Sequence, residues 1–242
     1  MQVRWIRYAT IALLAGLLVG CASTKSTSNE GQPSAAAQAD DENGPKPFDE
    51  VVPDTARTDA GLLTTHRFQD KLYVGIPDSL LGREMLMVSR VAQAQSDLAY
   101  GGQKVNTQVL RWERRGPEVL LRVVSYEKTA DPQDPVFEAV RNSSFEPVLK
   151  SFSIEAPNED STGVVIDATD LYTTDVPSLG LPRSAREEYQ VRRLDEARTY
   201  LTGVESFPKN TDVETLLTYE AQEPPSSEQT GTISVEMNHS MV

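Results

Sequence analysis

The chain has 242 residues, 38% of them hydrophobic, and a formal net charge of −13 at pH 7. A chain this acidic has no basic stripe to replace the counterions around phosphates, which argues against nucleic acid as a partner. Its single cysteine excludes an intramolecular disulfide, so the fold must rest on its hydrophobic core.

The N-terminus has the pattern of an export signal. Arg4 and Arg7 precede the apolar run Ile11–Val19, and a glycine stands directly before Cys21. The run is too short to span a bilayer as a stable helix. It resembles a bacterial lipoprotein signal, in which a peptidase cuts before the cysteine and acyl chains are then attached. We therefore expect residues 1–20 to be a signal peptide and Cys21 to be lipidated. The alternative is an ordinary secretory signal with an incidental cysteine.

The next segment is predicted to be a flexible tether. Residues 21–47 contain no aliphatic side chain larger than alanine, so nothing there offsets the entropy of ordering the chain. Loss of the signal peptide removes two arginines and no acid, which leaves a net charge of −15. Because an anionic bilayer surface repels so acidic a chain, the expected membrane contact is the hydrophobic lipid anchor. Ala22 after the cysteine favours the outer membrane of a Gram-negative envelope, in a periplasmic or surface-facing position.

Residues 48–92 are predicted to form a short N-terminal domain. Leu72–Ile76 has the composition of a strand that Pro77 stops, and Pro77–Gly82 indicates one helical turn. Glu84–Val91 contains too many consecutive apolar residues for a one-sided strand, which predicts a central strand covered on both faces.

Residues 93–242 are predicted to form a larger, β-rich domain. Its clearest element is an antiparallel hairpin, because two alternating segments flank a turn at Arg114–Pro117. A short helix is expected within Asp134–Ser143. Further strands are predicted at Val148–Ile154, Val164–Ile166, Val213–Tyr219 and Ile233–Met237.

A longer helix is predicted after Ser184. Ser184–Glu187 has the spacing of a capping box, and apolar residues recur near helical spacing from Ala185 to Leu201. The alternating pattern of a strand continues up to Val242. It predicts an unpaired sheet edge and a polypeptide that is longer than this chain. The alternative is that Ile233–Val242 is a genuine terminal edge strand. The expected fold class is α+β, mostly β, with antiparallel sheet and a few short helices.

Several separate motifs resemble one protein family in order from about Lys46 to Val242. Together they are similar to the N-terminal half of a family of large bacterial zinc-dependent metalloproteases. The resemblance implies two domains of unknown function ahead of a metzincin-like catalytic domain, commonly exported or lipid-anchored. The motifs are Gly61–His66, Leu72–Leu86, Arg141–Phe145, Gly163–Asp170, Arg193–Arg198 and Ser206–Asn210.

The zinc chemistry of that family requires His-Glu-x-x-His on a helix and a third histidine. This sequence contains only His66 and His239, each without a neighbouring ligand pattern. We therefore assign no catalytic, cofactor-binding or metal-binding residue here and expect zinc only in a separate catalytic domain. Each histidine is predicted to be structural and partly exposed.

Other constellations have simpler explanations. Asp167 and Asp170, with Asp175 nearby, resemble a hard-cation cluster but lack an EF-hand loop, so the prediction is that they end a strand and cap a turn. Asn142 begins a glycosylation pattern that more simply marks a turn. Trp112 with Arg111, Arg114 and Arg115 resembles a nucleic-acid surface, but an isolated basic turn on so acidic a chain is better explained as a solvated hairpin tip.

The leading hypothesis is a lipid-anchored, non-catalytic front portion of a metalloprotease-like envelope protein that scaffolds the protease or guides substrates. Its expected partners are the membrane, through the lipid, and the catalytic domain of the same protein. The alternative is a stand-alone binding lipoprotein that engages an envelope protein or peptide through an edge near Ile233. A truncated, poorly folding product is a third possibility.

Overall fold

The computed structural model describes residues 44–225 and 230–242, all within a compact unit that spans residues 42–242. The predicted signal peptide, Cys21 and the tether up to residue 43 lie outside the described residues. Within the two described ranges, no helix combines the length and apolar character needed to cross a membrane.

Twelve antiparallel strands of the described chain form one curled sheet, which confirms the mostly β class. The strands are β1 (Arg57–Asp59), β2 (Thr64–Phe68), β3 (Lys71–Pro77), β4 (Glu84–Ala94), β5 (Lys104–Arg115), β6 (Glu118–Val124), β7 (Val148–Pro157), β8 (Gly163–Asp167), β9 (Val191–Leu194), β10 (Tyr200–Phe207), β11 (Asn210–Ala221) and β12 (Thr232–Met241). Their order is β1-β2-β3-β8-β7-β6-β5-β4-β12-β11-β10, and β9 also pairs with β11.

The helices are short and lie in the connections. Pro47 precedes the first and Pro182 the fourth, where a fixed φ favours the start of a helix. They are α1 (Phe48–Val51), α2 (Phe137–Ser143), α3 (Thr169–Thr173) and α4 (Arg183–Glu188), with single 3-10 turns at Asp78–Leu80 and Glu196–Arg198.

The two edges of the sheet come together. Leu62 N donates to the Phe207 carbonyl at 2.7 Å, which joins the β1–β2 connection to β10. The Arg67 guanidinium of β2 donates to the carbonyl of Leu201 in β10 at 2.8 Å. A Cβ at Gly61 would lie 2.6 Å from the Phe207 nitrogen, so only glycine permits this approach. These bonds satisfy main-chain groups that an open edge would expose.

The core occupies the inner face of the curl. Its larger cluster surrounds Trp112 and Leu121, and a second cluster surrounds Tyr219 and Met237. A third, smaller cluster packs α1 against the outer face of the sheet, which is the face opposite these two clusters.

β4 is a central strand, as predicted, but it is not covered on both faces. Met85 and Met87 are 4% and 2% exposed, whereas Leu86 between them is 37% exposed. The alternation arises because the core fills only the inside of the curl. The predicted domain boundary at residues 92–93 lies within β4, whose neighbours β5 and β12 both come from the C-terminal side of that boundary.

The predicted unpaired edge near Ile233 is wrong. β12 lies between β4 and β11, with Val235 opposite Ala94 on one side and Leu217 on the other. The pairing with β4 joins segments about 140 residues apart, and no local pattern encodes such a partner.

The predicted helix from Ala185 to Leu201 is also wrong beyond its first turn. α4 begins after Pro182 without a side-chain capping bond, so the capping box predicted from Ser184 does not form, and the helix ends at Glu188, shortly before Gln190 with its φ of 50°. The Gln190 carbonyl accepts a hydrogen bond from Gln222 N at 3.3 Å, and β9 then pairs with β11. Tertiary pairing therefore outweighs the helical spacing of the apolar residues.

Candidate ligand-binding cleft

A polar cleft of about 450 Å³ opens on the outer face of the sheet. Its walls come from α1, β1, β2 and the β7–β8 connection, which the β3–β8–β7 pairing brings to the same place. We call it the His66 cleft. The lining residues that matter for its chemistry are Phe48, Thr58, His66, Asn158, Glu159 and Asp160.

His66 forms the floor of this cleft. It lies opposite Thr58 in β1 and is only 4% exposed. Its Nδ1 is hydrogen-bonded to Thr58 Oγ1 at 2.8 Å, and the Phe48 ring packs edge-on against the imidazole with centroids 5.4 Å apart. Gly75 of β3 lies beside the ring, where a Cβ would be 3.9 Å from His66 Nε2, an ordinary van der Waals contact.

The imidazole of His66 is neutral at pH 7. Burial lowers its pKa and outweighs the opposing effect of the Glu159 carboxylate, which favours the charged form. A neutral imidazole has one donor nitrogen and one acceptor nitrogen, so when Nδ1–H donates to Thr58 Oγ1 the other nitrogen, Nε2, is the acceptor.

The β7–β8 connection supplies carboxylates to the rim. Asp160 Oδ1 accepts hydrogen bonds from Thr162 N at 2.9 Å and Thr162 Oγ1 at 2.6 Å, and these bonds lower the pKa of Asp160. Ser161 has a φ of 56°, which closes the turn. The exposed Glu159 stands beside it. The rim therefore carries negative charge at neutral pH.

Asn158 contributes an unusual atom to the same wall. Its Oδ1 is buried and has no hydrogen-bond partner among the described residues. Buried polar atoms are nearly always paired, so an orphaned acceptor marks a place where a donor is missing. With the imidazole, hydroxyl and carboxylate groups, it makes the cleft a site suited to donor-bearing, cationic groups.

A second cavity, of about 220 Å³, lies at the end of the curl beneath α4. Val91, Leu181 and Met237 line its base, and all three belong to the second core cluster. Tyr189 donates from its hydroxyl to the Asp97 carbonyl at 3.3 Å across the connection above it. Above this apolar base the cavity is lined by polar side chains that include Gln103, Lys104 and Glu188.

His239 lies far from the outer face, inside the core. Its Nδ1 is hydrogen-bonded to Ser89 Oγ at 2.9 Å and its Nε2 to Thr215 Oγ1 at 3.4 Å. Burial lowers the pKa of His239 to about 4. His239 is 1% exposed and His66 is 4% exposed, so the prediction that both are partly exposed is wrong. Each lies on the face of its strand, β12 or β2, that other elements cover.

The residues present do not fit zinc. His66 belongs to the outer face and His239 to the inner one, so the two imidazoles cannot share an ion. In residues 44–225 and 230–242, no three His, Cys, Asp or Glu side chains are placed to hold a metal.

The three aspartates considered as a cation cluster have separate roles. Asp167 ends β8 and caps the next turn, as predicted, by accepting bonds from Thr169 N at 3.1 Å and Thr169 Oγ1 at 2.5 Å. Burial opposes its charged form, but the bonds from Thr169 and Lys71 outweigh burial and lower the pKa of Asp167. Asp175 pairs with Arg186 instead, and the Asp170 side chain is exposed.

The tryptophan and arginine group is divided between the two faces of β5. The exposed Arg114 and Arg115 lie at the tip of the β5–β6 hairpin, as predicted for the basic turn, whereas Trp112 is 2% exposed and belongs to the core. Arg111 points outward and pairs with Glu146, which holds the connection after α2 to the sheet. Asn142 lies in the last turn of α2 rather than in an isolated turn.

Sequence reasoning missed Thr58, Asn158, Glu159 and Asp160 as site residues. The only local signal was a short polar run between two strands, at residues 158–162, which is also what an ordinary turn looks like.

Comparison with known proteins identifies two sequence regions. Residues 45–94 match the family described as Domain of unknown function (DUF5118), and residues 102–242 match Domain of unknown function (DUF5117). No curated protein and no solved structure matches the chain. Because the second match covers more than half of the 242 residues, the chain belongs to the DUF5117 family and carries a DUF5118 region before it.

Proposed function

We propose that this chain is the lipid-anchored, N-terminal, non-catalytic portion of a zinc-dependent metalloprotease-like protein of the bacterial envelope. Its role there is to scaffold the protease or to guide substrates to it. The observation that carries the proposal is the order of the two matched regions, residues 45–94 and then 102–242. A short and then a longer domain of unknown function precede the catalytic domain in the family that the sequence motifs resemble.

The arrangement of side chains supports a binding role rather than hydrolysis by this chain. Both histidines are engaged in the fold, His239 inside the core and His66 against Thr58. The His66 cleft offers acceptors and negative charge, which select and orient a ligand. Zinc and the activated water belong, in this proposal, to the catalytic domain.

Hydrolysis is tested with the purified full chain, incubated with casein in the presence of zinc. We expect no cleavage that 1,10-phenanthroline suppresses, because residues 44–225 and 230–242 offer no set of ligands for a catalytic zinc. Chelator-sensitive cleavage by the chain alone would overturn the non-catalytic assignment.

The link to a protease is tested in the producing cell. An antibody raised against this chain is expected to detect a product well above 26.7 kDa, and peptide sequencing of that product is expected to find a His-Glu-x-x-His segment. A single product no larger than the 26.7-kDa chain without its signal peptide would favour the second candidate, a stand-alone envelope lipoprotein that binds through the His66 cleft.

The lipid anchor is tested at Cys21. We expect the wild-type protein to incorporate labelled palmitate and to sediment with outer membranes, as the proposed location requires. Cys21→Ala is expected to abolish labelling and to release the protein, while Ser23→Ala serves as the matched control in the same segment. Labelling that persists in Cys21→Ala would contradict the anchor.

A further inference from the structure

We propose that the His66 cleft binds a primary ammonium group, presented either by a lysine-type side chain of a polypeptide or by a free alkylamine. The polypeptide source deepens the substrate-guiding role and rests on the proposed function. The ammonium site itself rests only on the geometry of the cleft.

The charge of the rim is the first reason to expect an ammonium ligand. Neither Glu159 nor Asp160 forms an ion pair with another of the described residues, and both lie at the rim of the cleft. A cation that enters is attracted by two carboxylates, and no ion pair has to be broken first. An anionic ligand is repelled by the same two carboxylates, and a neutral ligand gains no charge attraction from them.

The acceptors are the second reason. Besides the two carboxylates, the cleft contains the imidazole of His66, the hydroxyl of Thr58 and the amide of Asn158. The Oδ1 of Asn158 is without a donor among the described residues. An ammonium group has three donors and no acceptor, which suits a cleft whose acceptors come from β1, β2 and the β7–β8 connection. A guanidinium prefers one carboxylate in a flat, bidentate contact, which the separated acceptors do not favour.

The shape of the cleft completes the match. Phe48 provides an aromatic wall beside the polar floor, so the alkyl stem of an amine is able to pack against the ring while the charged end reaches the acceptors. A volume of about 450 Å³ accommodates a lysine side chain and part of its backbone. A bare metal ion fits less well, since no three metal-ligating side chains converge in the described chain.

Binding is measured on the uniformly ¹⁵N-labelled full chain. Two ammonium probes, n-butylammonium chloride and Nα-acetyl-lysine methylamide, are each added in steps while amide resonances are followed. The matched neutral probe is Nα-acetyl-norleucine methylamide. We expect shifts at the amides of His66, Asn158 and Glu159 with both ammonium probes, reduced by added salt, and none with the neutral probe. Equal shifts with the neutral probe would overturn the inference.

The Glu159→Gln variant tests the role of charge directly. Because Glu159 is exposed, the fold is expected to persist, and the affinity for n-butylammonium is expected to fall about fivefold, the scale of one charge contact near a surface. The control, Glu205→Gln, alters an exposed glutamate of β10 outside the cleft and is expected to leave the affinity unchanged. Unchanged affinity in a folded Glu159→Gln protein would overturn the inference.

The two ammonium probes also distinguish a lysine side chain of a polypeptide from a free alkylamine as the natural ligand. Tighter binding of the lysine derivative supports a polypeptide ligand, whereas equal binding supports a free amine, and either result upholds the ammonium site. Failure of both ammonium probes to bind overturns this inference and leaves the tests of the lipid anchor and of product size to decide the proposed function separately.

Discussion

The guanidinium of Arg186 lies over the ring of Tyr219, with its Cζ atom 5.0 Å from the ring centroid. The same group donates two hydrogen bonds to Asp175, at 2.9 and 2.6 Å, and one to the Leu181 carbonyl at 2.9 Å. These contacts fasten α4 and the connection before it to the buried face of β11. They close one end of the curled sheet, above the second core cluster.

Removal of this guanidinium is expected to cost stability. Arg186→Ala should lower the free energy of unfolding by about 2 kcal/mol, because charge-assisted bonds to partly buried groups are lost. Arg186→Lys should recover only part of that, since an ammonium cannot form the bidentate contact. Urea unfolding followed by tryptophan fluorescence measures the difference. Arg183→Ala, on the same helix with a 90%-exposed side chain, is the control and should change stability by less than about 0.5 kcal/mol.

Gly180 allows Tyr219 to reach this network. A Cβ at Gly180 would collide with the Tyr219 hydroxyl oxygen, and Tyr219 is 1% exposed, so it cannot move aside freely. Gly180→Ala is therefore expected to lose about 2 kcal/mol of stability or more. Adding Tyr219→Phe removes the colliding atom, so the double variant should lose less than the sum of the two single variants. Strict additivity in a double-mutant cycle would argue against the collision.

The stability of the protein is expected to fall between pH 7 and pH 5. The unfolded state binds a proton at His239 near pH 6.5, whereas burial holds the folded pKa at about 4, so lowering the pH in this window favours unfolding. The loss from this residue is about 2 kcal/mol at pH 5. Burial also lowers the pKa of His66, which adds a contribution of the same sign.

Urea titrations at pH 7 and pH 5 measure this loss. His239→Gln should be less stable at pH 7 but should show a clearly smaller difference between the two pH values. His66→Gln, at the other buried histidine, should remove only the contribution that His66 makes to this difference. A wild-type pH dependence that His239→Gln leaves intact would contradict the assignment.

Closure of the sheet edges is expected to depend on Arg67. Arg67→Met removes the donors that reach the carbonyls of Leu201 and Thr202, leaving these edge groups without their partner. We expect a loss of about 1–2 kcal/mol and a tendency to self-associate at high concentration, measured by urea unfolding and size-exclusion chromatography. Arg57→Met, at the paired position of β1, lacks those bonds to β10 and is the control. Equal behaviour of the two variants would show that Arg67 does not seal the edge.

Local features of the fold were predictable from the sequence. The hairpin of β5 and β6 follows from alternating residues around a glycine that adopts a φ of 60°, Gly116, and the structure confirms it. The role of Asp167 at the end of β8 also follows from its neighbours, because the bonds it accepts come from a residue two positions later. In both cases the groups that interact are adjacent in the chain.

The candidate site was not predictable in the same way. His66 was visible as a histidine in an extended segment, but Glu159 and Asp160 lie more than 90 residues further along. They meet at one cleft only because β8 is inserted between β3 and β7. The burial that sets the protonation state of His66 likewise depends on α1 folding over it.

By itself the sequence determined the mostly β class, the positions of most strands and the scarcity of histidines, since alternation, turn residues and composition are local properties. Only the tertiary structure decided that β12 is central, that the chain after Glu188 becomes a strand, and that Glu159 and Asp160 line one cleft with His66. Those outcomes depend on which distant segments pair, and pairing is settled by the burial and hydrogen bonding of the whole sheet rather than by any one stretch of sequence.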